Sequence, residues 1–115
     1  MNIIKFLLIT LLLSFNVELY AHVNLKASTP SDNAMLMTPP EELLLTFSSE
    51  VMLVKLDLAN DNKEAIDIGF SADREVKLHH QWTLPALAPD TYVVRLVFMG
   101  KDGHKMTKTI SFIVH

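Results

Sequence analysis

A chain of 115 residues, 50% of them hydrophobic, is long enough for one domain with a single buried core. Its formal charge of −3 argues against nucleic acid and against an anionic membrane surface as a partner. The absence of cysteine excludes disulfides and thiolate metal sites, including the thiolate ligand of blue-copper electron carriers.

The first 21 residues read as a cleavable signal peptide rather than as structure. Lys5 supplies a positive start, Phe6 to Phe15 form a short apolar run, and Leu19-Tyr20-Ala21 places a small residue at the cut. The run falls short of the roughly 20 residues a membrane span needs, so a retained anchor is the weaker alternative. Glu18 and Leu19 depart from the small-residue pattern, which leaves the cut free to shift slightly. Two segments result: residues 1–21 as leader and 22–115 as an exported domain that does not span a membrane.

From His22 onward the chain reads as short strands separated by turns. Val23 to Ala27 alternates, and Ser28 to Asn33 ends it with turn formers. Thr38-Pro39-Pro40 suits an edge or crossover, since proline cannot donate to a ladder. Leu43, Leu45 and Phe47 share one face, opposite Leu44, Thr46 and Ser48. A second strand follows with Met52, Val54, Leu56 and Leu58 on its inner face, which makes Met52 a core residue. Asn60 to Lys63 form a hairpin turn, and Ala65 to Phe70 and Glu75 to Leu84 are two weaker strands. Leu87-Ala88-Pro89-Asp90-Thr91-Tyr92 has the pattern of a tyrosine corner, in which a phenol at the head of a strand binds nearby backbone. Tyr92, Val94, Leu96 and Phe98 continue one face of that strand, and Ile110, Phe112 and Val114 mark the last. About seven strands with turns at this spacing predict an all-β, immunoglobulin-like Greek-key sandwich.

Asp102-Gly103-His104 carries the chemistry. Residues two apart on an extended segment point to one side, and Gly103 allows a tight turn between carboxylate and imidazole. A polar hairpin loop is the plain reading of such a triplet. His22, at the start of the exported domain, gives it a second meaning.

In order, His22-Val23-Asn24-Leu25, Ser28-Thr29-Pro30, Leu45-Thr46-Phe47-Ser48, Leu87 to Tyr92, Asp102-Gly103-His104 and Ile110 to Val114 resemble the CopC-like periplasmic copper-resistance proteins. The resemblance covers essentially the whole of 22–115. It implies an immunoglobulin-like sandwich in the periplasm that binds Cu(II) through His22, Asp102 and His104, without catalysis. It also implies that the ion is buffered or passed to an inner-membrane copper importer. Some relatives add a glutamate directly after a Phe-Ser pair; here Ser49 follows Phe47-Ser48 and Glu50 comes one place later, on the alternate face. Some carry a methionine-rich loop for Cu(I); the matching stretch, Ala59 to Phe70, has no methionine, so that site is expected to be missing.

The donor set suits this ion. The amine and Nδ1 of a chain-initial His22 close a six-membered chelate ring, and His104 with Asp102 completes a planar N,O set that favours Cu(II) over tetrahedral Zn(II). Other candidates read as structure. His79 and His80 face opposite sides of a strand, so they are surface or half-buried rather than a metal pair. Met35 and Met37, flanking Leu36, attract a soft ion or act as packing filler. Met99 and Met106 bracket the Asp102 loop as packing, Trp82 is a core aromatic, and His115 is a frayed end or a weak auxiliary. Two rival functions remain: a copper histidine-chelate oxygenase, and a metal-free immunoglobulin-like interaction domain.

Overall fold

The computed structural model describes residues 23–115; the expected leader over 1–21, its cut, and His22 lie outside them. Seven strands follow in order: β1 (Leu25–Thr29), β2 (Ala34–Leu36), β3 (Glu42–Ala59), β4 (Ala65–Ile66), β5 (Val76–Thr83), β6 (Asp90–Met99) and β7 (Lys105–Val114). The number agrees with the sequence, but the composition differs. The two strands expected around Leu45 and Leu56 are one, β3, and a short strand, β2, occupies what reads as loop.

β3 organises the architecture. Its first half pairs antiparallel with β1 on one side and β5 on the other, setting Leu25 opposite Phe47 and Leu43 opposite Trp82. Its second half pairs with β6, from Met52 opposite Met99 to Ala59 opposite Val93, and with the two residues of β4. The pairing with β5 loses register between Thr46 and Val51, where Ser48, Ser49 and Glu50 are exposed. Across that bend β1 gives way to β6 as a partner of β3, while β5 stays paired as far as Met52. β6 continues into β7 as a hairpin, and β2 adds to the far edge of β7 in parallel.

Leu43, Leu45 and Phe47 are buried as the alternation requires, against Val94, Leu96 and Phe98 of β6. The phase of the second half is different from the expectation. Val51 and Leu53 are buried, as are Leu56 and Leu58, whereas Met52 and Val54 are only partly so. A register shift between Leu53 and Lys55 is the cause: one extra residue moves the apolar set by one position. Met52 is therefore not a core residue.

The tyrosine corner forms as read. The Tyr92 hydroxyl donates to the carbonyl of Ala88 at 2.5 Å, and its ring stacks on Phe112. Burial raises the phenol above its ordinary pKa of 10.0, with Asp90 adding to the effect, so it stays a donor.

His80 is more buried than the sequence suggests. Its Nε2–H is shared between the carbonyls of Val51 and Lys77, at 3.1 and 3.2 Å, and its ring lies parallel to Trp82 and edge-on to Phe47. Both acceptors are carbonyls, which assigns the proton to Nε2. Burial lowers its pKa below 6.5, and Lys77 acts in the same direction against the two carbonyls and Asp73. The unfolded chain therefore takes up this proton at higher pH than the folded one. The stability His80 contributes is complete above its ordinary pKa and is lost as pH falls from there through the lower folded-state value. Urea midpoints of metal-free protein at about pH 7.5 and 5.5 should drop more for the wild type than for His80→Gln, whose amide donates but does not titrate. Equal drops would show that the ring is protonated as readily folded as unfolded.

Candidate metal centre

The connection between β6 and β7 runs from Gly100 to His104. Gly103 adopts φ +82, a conformation that side-chain-bearing residues rarely take, and its N–H closes the turn on the Gly100 carbonyl at 3.1 Å. This turn, rather than strand alternation, brings the carboxylate and imidazole together. Asp102 accepts from the His104 backbone N–H at 3.1 Å through Oδ1 and meets His104 Nδ1 at 3.0 Å through Oδ2. The backbone N–H of His104 holds the Asp102 carboxyl below the ordinary 3.8; desolvation opposes it, and the His104 ring adds to the lowering. An ionised Asp102 places the His104 proton on Nδ1 in the metal-free pair, and an ion held by both side chains would take that proton's place between them. The imidazole is well exposed, at 81%.

The beginning of the described chain lies against this turn. A Cβ at Gly100 would stand 3.3 Å from both Asp102 Oδ1 and Val23 Cγ2, so the carboxylate and the Val23 side chain flank one bare backbone position. Asn24 is fixed beside them: its N–H donates to Ser48 Oγ and its carbonyl accepts from the Ser48 N–H, both at 2.9 Å. His22, the residue before Val23, lies outside the described residues. Among those residues, no three His, Asp or Glu side chains converge to hold a metal.

Glu50 comes to the same rim with its carboxylate 3.4 Å from Lys101 Nζ, in an exposed ion pair. The sequence offered no sign of this pairing, nor of the role of Gly100. His79 is exposed and meets Thr46 Oγ1 at 3.0 Å, on the opposite side of β5 from His80, so the two do not share an ion. Met106 and Trp82 are half-buried against the core. Met35, Met37 and His115 lie at the other end of β7.

A Greek-key β-sandwich with a tyrosine corner and an acid–imidazole hairpin at one end is the class that the fold and the turn define. Comparison with protein families matches residues 25–115 to the CopC domain, and the chain belongs to the CopC family. That match begins at Leu25, beyond His22. Among solved structures, CopC from Methylosinus trichosporium OB3b aligns with a TM-score of 0.69 and 21% identity, over 81% of this chain and 93% of that one. PcoC, a methionine-rich copper resistance protein from Escherichia coli, aligns at 0.66 and 21% identity, over 83% and 100%. Curated proteins give no significant match.

Proposed function

We propose that this protein holds Cu(II) between the amine and imidazole of His22, the imidazole of His104 and the carboxylate of Asp102, and buffers or delivers it in the periplasm without catalysis. By family it is a copper-binding protein of the copper-resistance kind. One observation carries the choice of site: Asp102 and Val23 crowd the same face of Gly100. Successive Cα atoms are about 3.8 Å apart, so a residue joined to Val23 is within side-chain reach of the turn. Cutting after Ala21 supplies the amine, and Asp102 contributes negative charge beside the ion. Among the described residues, no helix is long and apolar enough to cross a membrane. An inner-membrane copper importer is the recipient we infer.

Protein beginning at His22 should give one Cu(II) EPR spectrum with hyperfine structure from several nitrogens. In His104→Ala the nitrogen pattern should simplify and the affinity should fall at least tenfold, on the order of what loss of an outer partner alone does. Indistinguishable spectra and affinities in the two proteins would place the ion elsewhere. Turnover of reductant and peroxide on a glycan by the copper-loaded protein would favour an oxygenase instead.

A further inference from the structure

We propose that Met35, Met37 and His115 form a second, separate site that takes a soft monovalent cation, Cu(I) or Ag(I). Among the described residues, Met35 and Met37 are the two most exposed large hydrophobic side chains, at 72% and 80%. Methionine is usually buried, so two thioethers in water only two positions apart call for a reason. Leu36, between them, packs against the core. The two thioethers thus flank an inward side chain and face solvent.

β7 supplies the third donor. In the parallel pairing of β2 with β7, Met35 stands opposite Ile113 and Leu36 opposite Val114. One further step of that register sets Met37 beside His115, and the His115 N–H indeed donates to the Leu36 carbonyl at 2.9 Å. Phe112 and Val114 are buried, while His115 is exposed. Adjacent strands lie about 4.8 Å apart and alternate residues about 6.6 Å, distances that long thioethers and an imidazole bridge to a common ion. The backbone beneath is fixed beforehand. Asn33 N–H donates to the Ser111 carbonyl at 2.7 Å, and Ser111 N–H donates to Asp32 Oδ1 at 2.9 Å.

Two thioethers and a neutral imidazole make an uncharged, soft donor set. Such ligands select Cu(I) and its analogue Ag(I) over zinc, calcium or magnesium. The position differs from Ala59 to Phe70, the stretch that matches the methionine-rich loop expected of some family members and that has no methionine here. It is also far from Asp102 and His104: the ten residues of β7 separate them by about 30 Å. The two sites are therefore independent, and this one does not rest on the Cu(II) reading.

The test is titration with Ag(I) of protein carrying 13C-methyl methionine. The methyl signals of Met35 and Met37 should shift together, saturating at one equivalent, with the His115 ring and without Met52, Met99 or Met106. The double variant Met35→Leu/Met37→Leu should weaken Ag(I) binding at least about tenfold and leave the Cu(II) EPR spectrum unchanged. Both positions are exposed, and the urea midpoint of the double variant reports its fold without reference to copper. Static Met35 and Met37 signals, a response centred on the other methionines, or equal Ag(I) affinity in the double variant would each overturn the proposal. Loss of Cu(II) binding at His104 with an intact methionine response would instead sink only the first site.

Discussion

One residue added ahead of His22 is expected to weaken Cu(II) binding by about a hundredfold or more. Removing a group that merely orients a ligand costs about 10–100-fold in metal affinity, and here a ligand itself is lost. With His22 first, the amine nitrogen, three carbons, Nδ1 and the ion close a six-membered ring that needs little rearrangement. With a residue before it, that nitrogen is a peptide nitrogen, whose lone pair is delocalised and which can bind only by giving up its amide proton. His104 and Asp102 then bind alone. The amine must also shed its proton, with an ordinary pKa of about 7.7–8.0, so affinity of the His22-first protein should fall as pH drops through that range. Competition against a chromogenic chelator measures both effects. Equal dissociation constants for the two forms would remove the amine from the site.

Phe47→Ala should remove about 3–5 kcal/mol of folding stability, a large part of the roughly 5–15 kcal/mol that small domains possess. Phe47 is 1% exposed and bridges the layers: its ring centroid lies 4.8 Å from that of Phe98 on β6 and 5.7 Å from that of His80 on β5. Alanine leaves a cavity that three strands would have to collapse into, and their ladders hold them apart. Phe47→Leu, which fills much of the space, should cost far less, about 1.5 kcal/mol. Urea unfolding of metal-free protein separates these outcomes. A loss under about 1 kcal/mol for the alanine variant would mean that the layers do not share a tightly packed core.

Much of this architecture was legible in the sequence, and what was hidden has physical causes. Alternation at Leu43, Leu45 and Phe47 reads correctly because every residue there keeps strict period two. The same rule fails ten residues on, since a bulge between Leu53 and Lys55 leaves no mark in residue type. β2 is three residues long and so lies below any periodic signal. In the Asn60 to Lys63 turn the left-handed residue is Lys63, at φ 62, where Asn or Asp is the usual choice; Asn60 instead caps it by accepting from the Glu64 N–H. The tyrosine corner and the Asp102–His104 pair were legible because each is made within a few residues of chain. The approach of Val23 to Gly100 and of Glu50 to Lys101 joins distant segments, which no local pattern encodes.

The eighteen residues of β3 have one more consequence. Because β1, β4, β5 and β6 all pair with this one strand, the ladders on its two halves are joined through a continuous backbone. Ser48 and Glu50, which tie the amino-terminal stretch and the Asp102 turn to the body, sit at the very bend where β1 gives way to β6. Opening of β3 at that bend would therefore loosen the very end of the domain for which copper binding is proposed.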